Sequence, residues 1–539
     1  MRKAKNSSGR QQTRRLGCAA LLLALVACGG GGGSPGNSVF GDGGVSTGTG
    51  SSNNNNPGTS TLPSSASLAQ QCAPANSYAA ASQRTGSLSI EKQWLRSYFD
   101  EAYLWRDQVP SVNANASDFN GSDVYVALRN YFDALKTPQL TESGAHRDKF
   151  SFIYPTEAWN LLSQQGVDLG YGLDWSLQSG NGTRTVRIAY LEPSGIAADA
   201  GLRRGDELSS VDGISANAND QGSIDKLNAA LFPATSGERH RFVFVRPGVG
   251  EFSVELSSAQ LSKQPVLSQQ VINTADGQRV GHIVFNDHIA PAEAQLIAAI
   301  NSFKQQAVSD LVLDLRYNGG GYLFIASELA YMVAGPTQTN GQLFEQLRYN
   351  DRRTADNSSA SSRTPFYSES CLLGAGGCSA PQPLPTLGLK RVFVLAQSGT
   401  CSASESIING LRGVGVQVIL IGGQTCGKPY GFTAKDNCGI SYFPIEFVGT
   451  NAKGFGDYAD GFVPGGNGVA GVPGCQVADD FNHALGDTQE AMLAAALSYR
   501  SSGQCPAGSV MTMRPQSARP LLSLLQRPPQ RSNRIYRAR

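Results

Sequence analysis

Charge is scarce in this chain of 539 residues: 16% of them are Asp, Glu, Lys or Arg, and the formal net charge is +2. So balanced a composition gives no reason to expect a nucleic-acid partner. Histidine is thin as well. The five, His146, His240, His282, His288 and His483, never fall at metal-ligand spacing with one another, so no metal site is read. Long apolar runs are missing beyond one near the N-terminus, which is too short to be a spanning helix. The triple glycine at 319–321 lacks the Lys-Ser/Thr that a nucleotide-binding loop requires. No cofactor is expected.

What is present is unevenly distributed, and the length alone suggests about three or four domains. Basic residues precede an apolar stretch that ends Leu21-Leu-Leu-Ala-Leu-Val-Ala-Cys28, so 1–28 reads as an export signal. Leu25-Val-Ala-Cys28 resembles a bacterial lipobox, which implies that Cys28 carries lipid. Gly29 follows it in place of the aspartate that commonly retains lipoproteins in the inner membrane, which by the same resemblance implies the periplasmic side of the outer membrane. Residues 29–67 are a Gly/Ser/Asn tether without enough apolar surface to fold. From 68 to 162 the pattern is helical: Trp94, Tyr98, Ala102 and Trp105 recur at helical spacing, as do Val124, Leu128, Tyr131, Phe132 and Leu135. From 163 to 258 strands and glycines dominate. An α/β core is expected over 259–505 and a basic, disordered tail over 506–539, where anionic lipid headgroups are a candidate contact.

The core's most informative stretch is 391–432. Arg391-Val-Phe-Val-Leu-Ala396 and Gln417-Val-Ile-Leu-Ile421 read as buried strands. Between them lies Cys401-Ser-Ala-Ser-Glu405, a helix N-terminus leading into Ser406-Ile-Ile-Asn-Gly-Leu411, and after them comes Gly422-Gly-Gln-Thr-Cys-Gly-Lys428. Adjacent parallel strands would bring both turns to one carboxyl edge, where α/β sheets place their sites. A hydroxyl at a helix N-terminus gains from the dipole and from main-chain N–H groups able to hold an oxyanion. Its ordinary role would be that of an N-cap.

Ser402-Ala-Ser-Glu405 with Gly427-Lys428, the lysine twenty-six residues after the serine, resembles the C-terminal processing peptidases, or tail-specific proteases. The resemblance implies Ser402 as nucleophile and Lys428 as general base. A lysine serves as base only when desolvation lowers its pKa. Asp310-Leu-Val-Leu-Asp-Leu-Arg-Tyr-Asn-Gly-Gly-Gly321 is similar to the family's oxyanion loop, which implies main-chain donors at Gly320, with Gly319 as the alternative, and at Ala403. One departure is Phe432, where many relatives carry a glutamine that orients the lysine; Tyr430 or a backbone carbonyl is the expected substitute. Asp314 and Arg316 read as structural partners.

Further upstream, Gly170-Tyr-Gly-Leu173 and Glu192-Pro-Ser-Gly-Ile-Ala-Ala-Asp-Ala-Gly-Leu-Arg-Arg-Gly-Asp206 resemble a PDZ domain. By that resemblance Leu169, Gly170, Tyr171 and Gly172 bind a peptide's C-terminal carboxylate. The expected architecture is an α/β peptidase core, a crotonase-like ββα spiral by resemblance, with a PDZ domain and a small helical N-terminal domain. The expected activity is that of a lipid-anchored periplasmic serine endopeptidase acting on polypeptides with free C-termini, with an adaptor lipoprotein as an open partner. Its rivals are an inactive binding lipoprotein and a different serine hydrolase.

Ten cysteines complete the pattern. With Cys18 in the signal and Cys28 lipidated, eight remain in an oxidising compartment. A Cys371–Cys378 bridge is expected locally. A bridge among Cys401, Cys426 and Cys438 would brace the two catalytic turns, which also weighs against Cys401 as a nucleophile. His288 is a rival base without an acid partner in telling position.

Overall fold

The computed structural model describes residues 62–180, 183–374, 377–379, 381–507 and 533–535. The export signal, Cys28, Cys18 and the tether up to 61 lie outside them. No helix among the described residues is long and apolar enough to cross a membrane.

Short apolar, β-branched runs build a six-stranded sheet in the order Val266–Asn273, Arg279–Phe285, Asp310–Asp314, Arg391–Ala396, Gln417–Gly422 and Gly474–Gln476. The first pair is antiparallel and the others are parallel. Because successive side chains of a strand point to opposite faces, each run serves two cores. Leu311, Leu313, Val392, Val394 and Leu420 join one, packed under the helices Ala290–Gln305, Leu323–Ala334 and Ala403–Gly413. Val312, Phe393, Leu395, Ile419 and Ile421 join the other, under the helix Ala491–Ser502. A sheet covered on both faces requires such unbroken apolar runs.

The N-terminal helices are capped as their sequences suggest. Ser87 and Asp123 accept main-chain N–H groups at the starts of Leu88–Ala102 and Val124–Ala134. The expected aromatic stripe is buried, but not in a core of its own. Trp94, Tyr98, Leu128 and Phe132 belong to the same apolar cluster as the α/β sheet. Phe152–Pro155 pairs with Ile440–Phe443, and a Cys72–Cys438 disulfide fastens the segment further.

Residues 163–258 have a separate apolar core around Trp175, Ile188, Leu227, Phe242 and Phe244. Strands Leu173–Gly180, Thr183–Leu191, Glu207–Val211, Arg239–Arg246 and Gly250–Ser257 form its sheet in that order, with Ile214–Ser215 pairing off Glu207–Val211. Arg204 links this unit to the α/β core, donating to Asp479 at 2.6 Å and Tyr317 Oη at 2.5 Å. Asp479 also accepts from Arg316, which is buried and shared among Asp314, Asp479 and Glu490. Asp314 and Arg316 are thus joined as structural partners, with two acids the sequence had not linked to them.

Beyond residue 507 the expected tail is described at three residues. Its residues Asn533–Ile535 form a strand that pairs parallel with Gly320–Tyr322.

Candidate active site

The register Arg391↔Gln417 through Ala396↔Gly422 ends both strands at one edge, so the turns after them, 397–402 and 423–428, stand side by side. Two independent links hold them. Cys401 and Cys426 form a disulfide, and Cys426 N–H donates to Thr400 O at 3.0 Å. Cys438 takes no part, being bonded to Cys72. The Cys371–Cys378 bridge forms as expected, and Cys475 pairs with Cys505. A crosslink closing a loop of 25 residues restricts the unfolded chain. Replacing Cys401 and Cys426 together by serine should therefore lower stability by about 3 kcal/mol, read from the urea unfolding midpoint.

Ser402 caps the helix Ala403–Gly413 with φ 62° and ψ −115°. For a residue with a Cβ this backbone region is strained by roughly 1–3 kcal/mol, and its surroundings must impose it. They do so from three sides. Ser402 N–H donates to Glu405 Oε2 at 2.9 Å, Cys401 N–H donates to Asn318 O at 3.0 Å, and Ser404 Oγ donates to the same Asn318 O at 3.0 Å. The serine turn is thereby docked on the 315–321 loop. Ser402 is fully buried, and its Oγ has no hydrogen-bond partner among the described residues. An orphan buried hydroxyl costs about 1–3 kcal/mol and calls for a reason.

Lys428 is also fully buried. Its Nζ lies 4.4 Å from the centre of the Phe432 ring and 5.1 Å from that of Phe150. The position that differs from many relatives is thus a wall of the lysine's slot. Tyr430, the expected substitute for the missing glutamine, packs its ring edge-on against Trp105. Gly427 has φ +82°, and a Cβ there would lie 2.2 Å from Ala459 O, so only glycine fits before the lysine.

One carboxylate joins the two turns from within. Glu405 Oε2 accepts the main-chain N–H groups of Ser402 at 2.9 Å and Lys428 at 2.8 Å. Oε1 accepts Gly427 N–H at 2.9 Å and Thr425 Oγ1–H at 2.5 Å. Burial pushes the Glu405 carboxyl up, and these donors pull it partly back. Glu405 stands three residues after Ser402, the spacing of a capping box, and that spacing was the available signal for its role. Cys401, Glu405 and Cys426 come within 4.8 Å of one another like metal ligands. Their sulfurs are bonded to each other and the carboxylate to N–H groups, so the donor set does not fit a metal.

Ala403 follows this serine, and Gly320 lies in the loop on which the serine turn is docked. Ala403 opens the helix, where an N–H has no intrahelical acceptor. Gly320 N–H donates to Asn318 Oδ1 at 3.0 Å, so the expected oxyanion donor is engaged within its own loop. His288 is buried, its Nδ1 2.9 Å from Asn318 Oδ1, and burial pushes its pKa down to about 3. Lys149, which sequence reading did not single out, donates from Nζ to Cys426 O at 3.2 Å, with its pKa lowered by burial.

The upstream residues sit elsewhere. Leu169 and Gly170 lie in the strand Val167–Gly170, one edge of which pairs with Ala259–Ser262. Tyr171 is buried, with its hydroxyl donating to Ala230 O at 2.9 Å. Gly172 has φ +74°, and a Cβ there would lie 2.6 Å from the Gly195 Cα. Leu169, Gly170 and Tyr171 line a cleft of about 790 Å³ with Tyr125, Arg129 and Trp175.

Residues 279–435 match the family model Peptidase family S41, and residues 91–152 match Peptidase S41 N-terminal domain. The carboxyl-terminal-processing protease of Picosynechococcus sp. is 26% identical over 238 residues, 44% of this chain and 49% of that protein. The chloroplastic C-terminal processing peptidase of Tetradesmus obliquus is 25% identical over 279 residues, 49% of this chain and 52% of that protein. The chain thus spans about half the length of these relatives. A solved protein of Bacteroides fragilis assigned to the S41 proteases shares the fold with TM-score 0.53 at 24% identity, over 76% of this chain and 97% of its own.

Proposed function

The chain belongs to the S41 family of C-terminal processing peptidases, and from that premise we propose that it is a serine endopeptidase working through Ser402 and Lys428. Ser402 Oγ attacks the scissile carbonyl as Lys428, in its uncharged form, takes the hydroxyl proton. The peptide C–N bond then breaks, and Lys428 returns the proton to the leaving amine. Water, activated by the same lysine, hydrolyses the acyl-enzyme. The Ala403 N–H and a main-chain donor of the 319–321 loop hold the tetrahedral oxyanion, Gly320 being available once it releases Asn318.

The observation that carries this reading is the joining of the two turns by Glu405 and by the Cys401–Cys426 bridge, which leaves a strained serine with an unpartnered hydroxyl. That hydroxyl is not hydrogen-bonded to Lys428 in this conformation. Catalytic hydrogen bonds often tighten only when substrate is bound.

Residues 163–258 are read as a PDZ domain that engages polypeptide C-termini, supported by the glycine turn, the separate core and the adjoining cleft. The core is read as a crotonase-like spiral. The lipobox-like stretch supports anchoring through Cys28 on the periplasmic side of the outer membrane, and an adaptor lipoprotein is a candidate partner. The test is labelling with a fluorophosphonate serine probe. Covalent capture at Ser402 is expected, with none in Ser402→Ala and with digestion of tailed peptides lost in parallel. A folded parent chain that neither labels nor digests would overturn the reading.

A further inference from the structure

The strand Gly320–Tyr322 has two edges. One is used inside the core: His288 N–H donates to Gly320 O at 2.9 Å, and Tyr322 N–H donates to His288 O at 2.8 Å. The other receives the chain's own C-terminal segment, in parallel register, with Gly320 opposite Asn533, Gly321 opposite Arg534 and Tyr322 opposite Ile535. This two-stranded ladder is separate from the six-stranded sheet. The tail strand's other neighbours are Tyr430–Gly431, just after the lysine, and the helix Ala403–Gly413 that begins beside the serine. Three residues of the tail therefore lie among the proposed oxyanion loop, the serine helix and the lysine turn.

We propose that the open edge of Gly320–Tyr322 is a docking strand for extended polypeptide, and that the chain's own segment 533–535 is its resident occupant, competing with substrate. The inference rests on the peptidase reading for its consequence, though the docking stands on the strand pairing itself. Recognition by an edge strand is made through main-chain hydrogen bonds and is therefore tolerant of sequence. That tolerance suits a segment with no apolar pattern of its own. Flanking glycines at 319–321 let a second backbone approach closely, and Gly321 at φ +137° has no room for a Cβ, which would lie 2.4 Å from His288 O. A covalently attached competitor acts at an effective concentration on the order of millimolar, enough to mask a moderate-affinity site.

The experiment compares the parent with a chain ending at residue 507 and with a full-length Ile535→Pro variant, since in this register the main-chain donor facing Gly321 belongs to residue 535 and proline removes it. For a tailed peptide substrate, KM should fall at least ~5-fold in both, with kcat unchanged. A synthetic peptide of residues 527–539 should raise KM of the truncated chain again as a competitive inhibitor. Amide exchange supplies a readout independent of turnover. The N–H groups of Gly320 and Tyr322 are engaged inside the core, so in a Ser402→Ala background the amide of Gly321 should be protected in the full chain, unprotected after truncation, and protected again on adding the peptide. Protection that tracks the tail without any probe labelling at Ser402 in the parent would sink the peptidase reading and leave the docking intact. Labelling with KM and exchange both indifferent to the tail would overturn the docking. Protection that vanishes on dilution of the full chain would overturn it too, because the strand would then come from a second copy.

Discussion

Lys428→Met should lower kcat on a tailed peptide by ~10³-fold or more, within reach of what a lost general base removes, while thermal unfolding stays within a few degrees of the parent. Methionine is the informative replacement. It has the length and flexibility of the lysine stem, fills the slot between Phe150 and Phe432, and carries no basic nitrogen. Lys428→Ala should abolish turnover equally, but it also opens a buried gap, so its stability must be measured beside its rate. The loss should appear in kcat and kcat/KM together, because proton transfer is needed in the transition state and not for binding. His288 cannot stand in: burial holds its pKa at about 3, too weak a base at neutral pH. A Lys428→Met chain that still turns over at the parent rate would remove the lysine from the mechanism.

What could be read in advance follows from how local each signal is. The strands at 391–396 and 417–422 were legible because a six-residue apolar run bounded by glycine and serine has few other uses, and the structure places both turns at one edge. The aromatic stripe from Trp94 to Trp105 was legible as a buried face for the same reason. Periodicity does not say what covers that face, and here the cover is the α/β core itself. The remaining surprises depend on residues distant in sequence. Nothing in residues 140–155 announces that Phe150 lies over Lys428, and spacing alone could not choose Cys72 as the partner of Cys438. The engagement of Gly320 N–H by Asn318 is local, but it depends on a side-chain rotamer that a motif does not encode. The tail strand was unreadable because main-chain pairing leaves no mark in side-chain pattern.

Glu405 carries the second large effect. In Glu405→Ala the N–H groups of Ser402, Gly427 and Lys428 and the hydroxyl of Thr425 all lose their acceptor inside a site that excludes solvent. Each orphaned buried donor costs about 1–3 kcal/mol, and partial relaxation makes the sum smaller than four such terms, so a loss of roughly 3–5 kcal/mol is expected in urea unfolding. Glu405→Gln separates charge from shape. Its carboxamide oxygen can serve only one side, and its NH₂ must face donors on the other, so it should recover part of the stability and little of the activity. The strained backbone of Ser402 is held by this acceptor as well as by the disulfide, so relaxing it should let the hydroxyl leave its present position. Probe labelling at Ser402 should then slow by ~10²-fold or more even where the chain remains folded, the scale on which small misplacements cost rate. If both Glu405 variants unfold with the parent and label at its rate, the carboxylate does not hold the two turns in register, and the disulfide with the Cys426–Thr400 hydrogen bond must do so.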